Sequence, residues 1–242
     1  MTRNKATAAA SLIVALIFAF GALPQLRSQN NETPYRTMAP LDQYLMADRN
    51  AEIALARTAA PEDIARNATI LVLGRHGYET AVAGKNGFVC LVERSFMAPF
   101  ESREFWNPKN RSPDCYNPPA ARSVLPVIKK RAEMVLVGLS KEQIIENAKA
   151  AKAKKEFPPP EPGAMAYMMS KQAYLTDAGI TQDGAHSLAH VMFFIPSTDA
   201  ESWGANSPQS PIALLQQAPE SPTTVFIVAV GKWSDGTPAP IP

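Results

Sequence analysis

Thr69-Ile-Leu-Val-Leu-Gly-Arg-His-Gly-Tyr-Glu-Thr-Ala-Val-Ala-Gly-Lys-Asn-Gly-Phe-Val-Cys-Leu-Val-Glu-Arg94 is the stretch that decides the fold. It holds apolar-rich runs at 69–73, 78–82 and 88–92, each about as long as an ordinary strand. Between them lie Gly74-Arg-His-Gly77 and Gly84-Lys-Asn-Gly87, each framed by glycines. Asn86-Gly87 is the dipeptide that best tolerates the positive φ angles of a tight hairpin. The spacing predicts an antiparallel meander over 69–94.

Working outward, residues 41–58 carry helical spacing without an internal Pro or Gly, and Pro61-Glu-Asp-Ile64 opens a short second turn of helix. Residues 95–122 mix Phe100, Phe105, Trp106 and Tyr116 with prolines, which predicts a long ordered loop packed over the sheet. A buried helix is expected over 124–137, stopped by Gly138. Ser140-Lys-Glu-Gln143 is a capping box that starts another helix reaching about Glu156. Pro158-Pro-Pro-Glu-Pro162 must be extended, and reads as a spacer inside one domain. Methionines at 165, 168 and 169 suggest a helix over 164–175 that stops near Gly179. Nearly continuous apolar runs at 191–195 and 223–230 predict central strands. Asp235-Gly236 then turns the chain into a Pro-rich tail. The expected class is α+β: an antiparallel sheet of about five strands with helices packed on it and long Pro-rich connections.

At 242 residues with 46% apolar and 19% charged, the chain suffices for one core and is not a disordered tail. Its 22 prolines avoid every expected strand and concentrate in rigid connections. Arg3 and Lys5 precede an apolar run over 12–20, followed by Gly21 and Ala22, the layout of a secretory signal peptide. The expected organisation is a signal peptide at 1–22, a flexible tether at 23–40 and a single α+β domain at 41–242. An uncleaved anchor over 6–23 is the competing reading, at the lower limit of membrane-spanning length. Cleavage takes two of the 24 basic residues and leaves 22 against 22 acids. A neutral body gives no electrostatic reason to expect nucleic acid or anionic lipid as a partner, and Lys149, Lys152, Lys154 and Lys155 read as a solvated helix face. In an oxidising compartment Cys90 and Cys115 can pair, closing a loop whose chain entropy is worth roughly 3 kcal/mol. Alternatively Cys90 is a buried thiol within a strand.

Arg75-His76-Gly77 after an apolar strand resembles the Arg-His-Gly of the histidine phosphatase superfamily, over about ten residues. That resemblance implies a histidine nucleophile at His76 and phosphate binding by Arg75. The family also uses another arginine, for which Arg94 and Arg122 are candidates, and a late histidine after a strand. Here His186 and His190 precede one, and the bland reading of Arg75-His76 is an exposed turn. His76, His186 and His190 are together candidate ligands for a transition metal, since His186 and His190 would share one face of a helix. Ser187 stands where a zincin needs its Glu. Met165, Met168, Met169 and Met192 could join His190 around copper, or simply fill the core. Glu93, Glu101, Glu104, Asp177, Asp183 and Asp235 are the carboxylates available for acid–base work. The chain has no Gly-X-Ser-X-Gly elbow, no P-loop, no Gly-X-Gly-X-X-Gly and no Cys-X-X-Cys.

Leu71-Val-Leu-Gly-Arg-His-Gly-Tyr-Glu79, Asn86-Gly-Phe-Val-Cys90, Asn117-Pro-Pro-Ala-Ala-Arg122, Pro160-Glu-Pro-Gly163, Met192-Phe-Phe194 and Gly231-Lys-Trp-Ser-Asp-Gly236 resemble a family of exported bacterial proteins of unknown function. The resemblance spans most of the mature chain and implies export, with no activity attached. The expected function is that of a periplasmic or secreted domain binding a small ligand, a metal or a protein partner. An exported phosphohydrolase using Arg75-His76 and a structural envelope protein are the alternatives.

Overall fold

The computed structural model describes residues 35–178, 180 and 186–241. The expected signal segment 1–22, the expected tether as far as residue 34, and Asp183 therefore lie outside the described residues. Contacts divide the chain into Met1–Glu32 and a second unit, Thr33–Pro242, to which everything below refers.

The strands are β1 (Thr69–Gly74), β2 (Gly77–Val82), β3 (Val89–Glu93), β4 (Ser112–Tyr116), β5 (Met165–Met168), β6 (His190–Pro196), β7 (Ile212–Gln217) and β8 (Thr223–Ala229). They form one sheet in the order β2-β1-β3-β4-β5-β6-β8-β7. Helices are α1 (Arg49–Arg57), α2 (Glu62–Ala65), α3 (Pro118–Ser123), α4 (Leu125–Leu136) and α5 (Lys141–Ala153). The α+β class holds; five antiparallel strands become eight, in a mixed sheet. Among the described residues no helix is long and apolar enough to cross a membrane.

The mixed character arises within the deciding stretch. β1 and β2 form the expected hairpin, with Gly74 opposite Gly77 and Arg75-His76 as its two-residue turn. β3, however, pairs with β1 in parallel instead of closing a meander on β2. The chain between them passes so near the start of β1 that a Cβ on Gly84 would lie 2.2 Å from the Thr69 nitrogen. Asn86-Gly87 thus makes no tight hairpin. Asn86 donates its amide to the Ile64 carbonyl and accepts from the Phe88 N–H, which fastens the crossover to α2.

Other differences have equally local causes. Strand β4 lies within the expected loop 95–122; Pro113 and Asp114 disguise it, yet all its residues are buried. Met165 and Met168 belong to a strand, not to a helix over 164–175. The preceding extended prolines and Gly163, at φ 79°, deliver the chain already straight between β4 and β6. β7 occupies a Pro-rich connection as an edge strand. The helix expected over 41–58 starts only at Arg49, because Asp48 caps it by accepting from the Asn50 and Ala51 N–H groups. Ser140 and Gln143 form the expected capping box of α5. Tyr35, Met38 and Ala39 pack on the core, so the end of the tether belongs to the fold.

Strand alternation divides the side chains between two faces. One face carries Ile70, Val92 and the Cys90–Cys115 disulfide, packed with Ala56 of α1. The two cysteines are directly opposed on β3 and β4. Glu52 of α1 reaches Arg94 at 2.7 Å in a buried ion pair that holds this helix down. The other face carries the larger core, closed by α3, α4, α5 and the aromatic residues Phe96, Phe100, Phe105 and Trp106.

Candidate functional site

The larger face contains a cavity of about 750 Å³. Its floor follows the two-residue period of the sheet. Ser112, Asp114 and Tyr116 come from β4, His190, Met192 and Phe194 from β6, and Val225, Ile227 and Ala229 from β8. Val127, Ile128 and Arg131 of α4, one helical turn of one face, form the roof with Met97, Ala98 and Pro99. Ile180, Leu215 and Ile241 also line it and are large apolar side chains left exposed. They mark its open side.

One end of the cavity is polar. Glu93 on β3 stands opposite Ser112, which brings it diagonally next to Asp114 on the same face. The Asp114 side chain is fully buried and lies within hydrogen-bonding reach of Glu93. Burial and the neighbouring Glu93 hold the Asp114 carboxyl well above the ordinary carboxylate range. Burial also raises Glu93, against the hydrogen bond donated by the Tyr116 hydroxyl and the attraction of Arg131. Two carboxylates cannot bond each other without a proton between them, so the pair holds one to higher pH than a lone carboxyl does. Arg131 donates to the Ala98 carbonyl at 2.7 Å and lies 4.0 Å over the Phe100 ring. Burial lowers it to about 10, which leaves it a cation at neutral pH.

Among the described residues, and apart from the proton shared by the acid pair, five buried side-chain polar atoms have no hydrogen-bond partner: Ser95 Oγ, Asn110 Oδ1, both Asp114 oxygens and Arg131 Nε. All four residues line this cavity. Buried polar atoms ordinarily find partners, because an unmet one costs about 1–3 kcal/mol. Their coincidence with an apolar cavity is the pattern of a binding site.

The residues singled out in the sequence distribute unevenly. Arg75 and His76 are exposed on the β1–β2 turn, where Arg75 pairs with Asp42 at 2.5 Å. Arg94 is committed to Glu52, and Arg122 to Glu161 at 2.6 Å. No second arginine is gathered at His76 by these pairings. The segment holding His186 and His190 is not helical. His186 bonds the Thr176 carbonyl through Nδ1 and packs on the Tyr174 ring. His190 is buried, and burial lowers its pKa. Its Nδ1 donates to the Leu188 carbonyl, since a carbonyl only accepts. Among the described residues no three His, Cys, Asp or Glu side chains are grouped to hold a metal. Met168 lies opposite His190 across β5 and β6, and both line the cavity with Met192; Met165 and Met169 do not.

Of the carboxylates, Glu93 enters the acid pair and Glu104 lines the cavity, where it accepts from Asn107 and Thr176. Glu101 is exposed and does not line the cavity. Asp177 is held low by hydrogen bonds from Tyr35 and Tyr174, with Lys109 at 3.2 Å, and Asp235 pairs with Lys171 at 2.9 Å. Asp114, Tyr116 and Arg131 carry the polar end, and sequence reading passed over all three. The available signal was the cysteine pair: if Cys90 and Cys115 are opposed on antiparallel strands, Glu93 must face Ser112. No family model, curated protein or solved structure matches the chain.

Proposed function

We propose that this protein is an exported domain that binds a small, largely apolar molecule in the cavity between the sheet and α4. The observation that carries this reading is that every buried unpartnered side-chain polar atom of the described structure lines that one cavity. Its volume suits a ligand of about drug size. The exposed Ile180, Leu215 and Ile241 give an apolar molecule a surface to approach. Export is supported by the N-terminal segment and by the Cys90–Cys115 disulfide, which suits an oxidising compartment.

The test is titration with the neutral dye N-phenyl-1-naphthylamine, whose fluorescence rises in apolar surroundings. The mature protein is expected to bind it saturably. Ala229→Trp, which fills the floor, is expected to weaken binding by about tenfold or more. His76→Ala, on the exposed turn, leaves binding unchanged. Thermal unfolding of both variants checks that the fold persists. Equal dye binding by Ala229→Trp would place the site elsewhere, and no binding by the parent protein would leave the structural envelope role.

A further inference from the structure

The polar end of the cavity is asymmetric in what it lacks. Apart from the proton shared with Glu93, Asp114 Oδ1, Asp114 Oδ2 and Asn110 Oδ1 are acceptors to which no other group donates, against a single unmet N–H on Arg131 and the Ser95 hydroxyl, which can act either way. The charge balance points the same way. Arg94 is neutralised by Glu52, so Arg131 is the cation left to face two carboxyls, and its attraction is felt at Glu93. Among the described residues Asp114 has no salt-bridge partner. From His190, Nε2 remains as a further acceptor, because Nδ1 is spent on Leu188.

Resting on the binding function proposed above, we infer that the ligand is a cationic amphiphile, whose ammonium or other N–H-rich head sits at Glu93 and Asp114 with its apolar body along the sheet. The head takes the place of the proton that the acid pair otherwise holds, so the site stays electrically balanced when it fills. An ammonium has donors and no acceptor, which suits the three unmet carbonyl and carboxyl oxygens of Asp114 and Asn110 and leaves the Arg131 Nε–H unmet. A carboxylate head would instead set a third acidic group beside two carboxyls, with the Arg131 Nε–H and the Ser95 hydroxyl as the unmet donors to receive it. The body runs from β4 across β5, β6 and β8 to β7, about 19 Å at the usual strand spacing. Met168, Met192, Phe194 and Ile227 lie along that course, and Leu215 stands at its far end.

The experiment displaces bound N-phenyl-1-naphthylamine at pH 7.5 with n-decylammonium, n-decanol and n-decanoate, three probes that differ only in the head. Decylammonium is expected to displace the dye at about tenfold lower concentration than decanol, with decanoate weaker than both. In Asp114→Asn and, separately, in Glu93→Gln, the preference for decylammonium over decanol is expected to shrink to about threefold or less. Two variants at different strands guard against one that misfolds, which thermal unfolding reveals. Decanoate binding most tightly, or three heads within about threefold, overturns the cationic head and leaves the cavity reading intact. If the dye itself does not bind the parent protein, the cavity reading fails and this inference fails with it.

Discussion

Asp114 shows how much one buried side chain can set. Its ordinary value is near 3.8 and burial beside Glu93 raises it, so between 3.8 and the raised value the folded chain holds a proton that the unfolded chain has released. Its contribution to stability is therefore complete below about pH 3.8 and lost as the pH climbs toward the raised folded value. Arg131 from α4, Tyr116 from β4, Glu93 from β3 and His190 from β6 all face the same cavity, and His190 is neutral well above its lowered value. Asp114→Asn removes the titration. The variant is expected to be more stable than the parent by about 1–3 kcal/mol at pH 8 and to lose that advantage by pH 4, measured by urea unfolding. A difference that does not vary with pH would refute the shared proton. Gly84 is decisive in another way. A Cβ there meets backbone at 2.2 Å and 2.3 Å, which no rotamer change relieves. Gly84→Ala is expected to cost at least about 2 kcal/mol in the same assay. Neither residue advertises itself: Asp114 looks like a loop acid between Pro113 and Cys115, and Gly84 looks like an ordinary turn glycine.

Secondary elements were legible where they carry their own chemistry. Ser140 and Gln143 satisfy each other's backbone groups within one turn, so the start of α5 follows from four residues. The β1–β2 hairpin is equally local, closed between two glycines. β4 and β5 were not legible, because their partners supply what their own residues do not. Ser-Pro-Asp-Cys-Tyr has poor strand propensity and becomes a strand by lying between β3 and β5. The methionines of β5 fit a helix as well as a strand until the preceding prolines hand the chain on straight. The Cys90–Cys115 bond makes β3 and β4 one unit and closes a separation of 25 residues. Unfolding with and without dithiothreitol is expected to differ by roughly 3 kcal/mol, the entropy of a loop that long. Identical unfolding midpoints in the two conditions would show that the bond does not constrain the unfolded chain.

At the scale of the whole molecule, the two faces of the sheet have separate tasks. The face under α1 is a dense cluster of small and branched residues around the disulfide. The face under α4 is wider, and its packing stops short of filling the space between β4 and β7. A molecule that enters that space binds the folded chain alone, so it must raise the unfolding temperature. At a hundred times its dissociation constant the gain is about 2.7 kcal/mol. The candidate site was the least legible part of the protein, since its polar end is assembled from β3, β4 and α4 and its edge from residues as distant as Ile180 and Ile241. The histidines, conspicuous in the sequence because there are three of them, are dispersed: His76 is on an open turn, while His186 and His190 are each bound to a nearby backbone carbonyl.

The sequence by itself determined the α+β class, the first hairpin and the capped helix α5, because these depend on φ angles and hydrogen bonds within a few residues. Two cysteines, with no others in the chain, made the disulfide available. Only the tertiary structure decided that β3 turns back beside β1, that β4 and β5 exist, and that Glu93 and Asp114 share one buried end of a cavity. Those outcomes depend on which strands become neighbours and on how water is excluded between them, and both are properties of chain segments brought together from far apart.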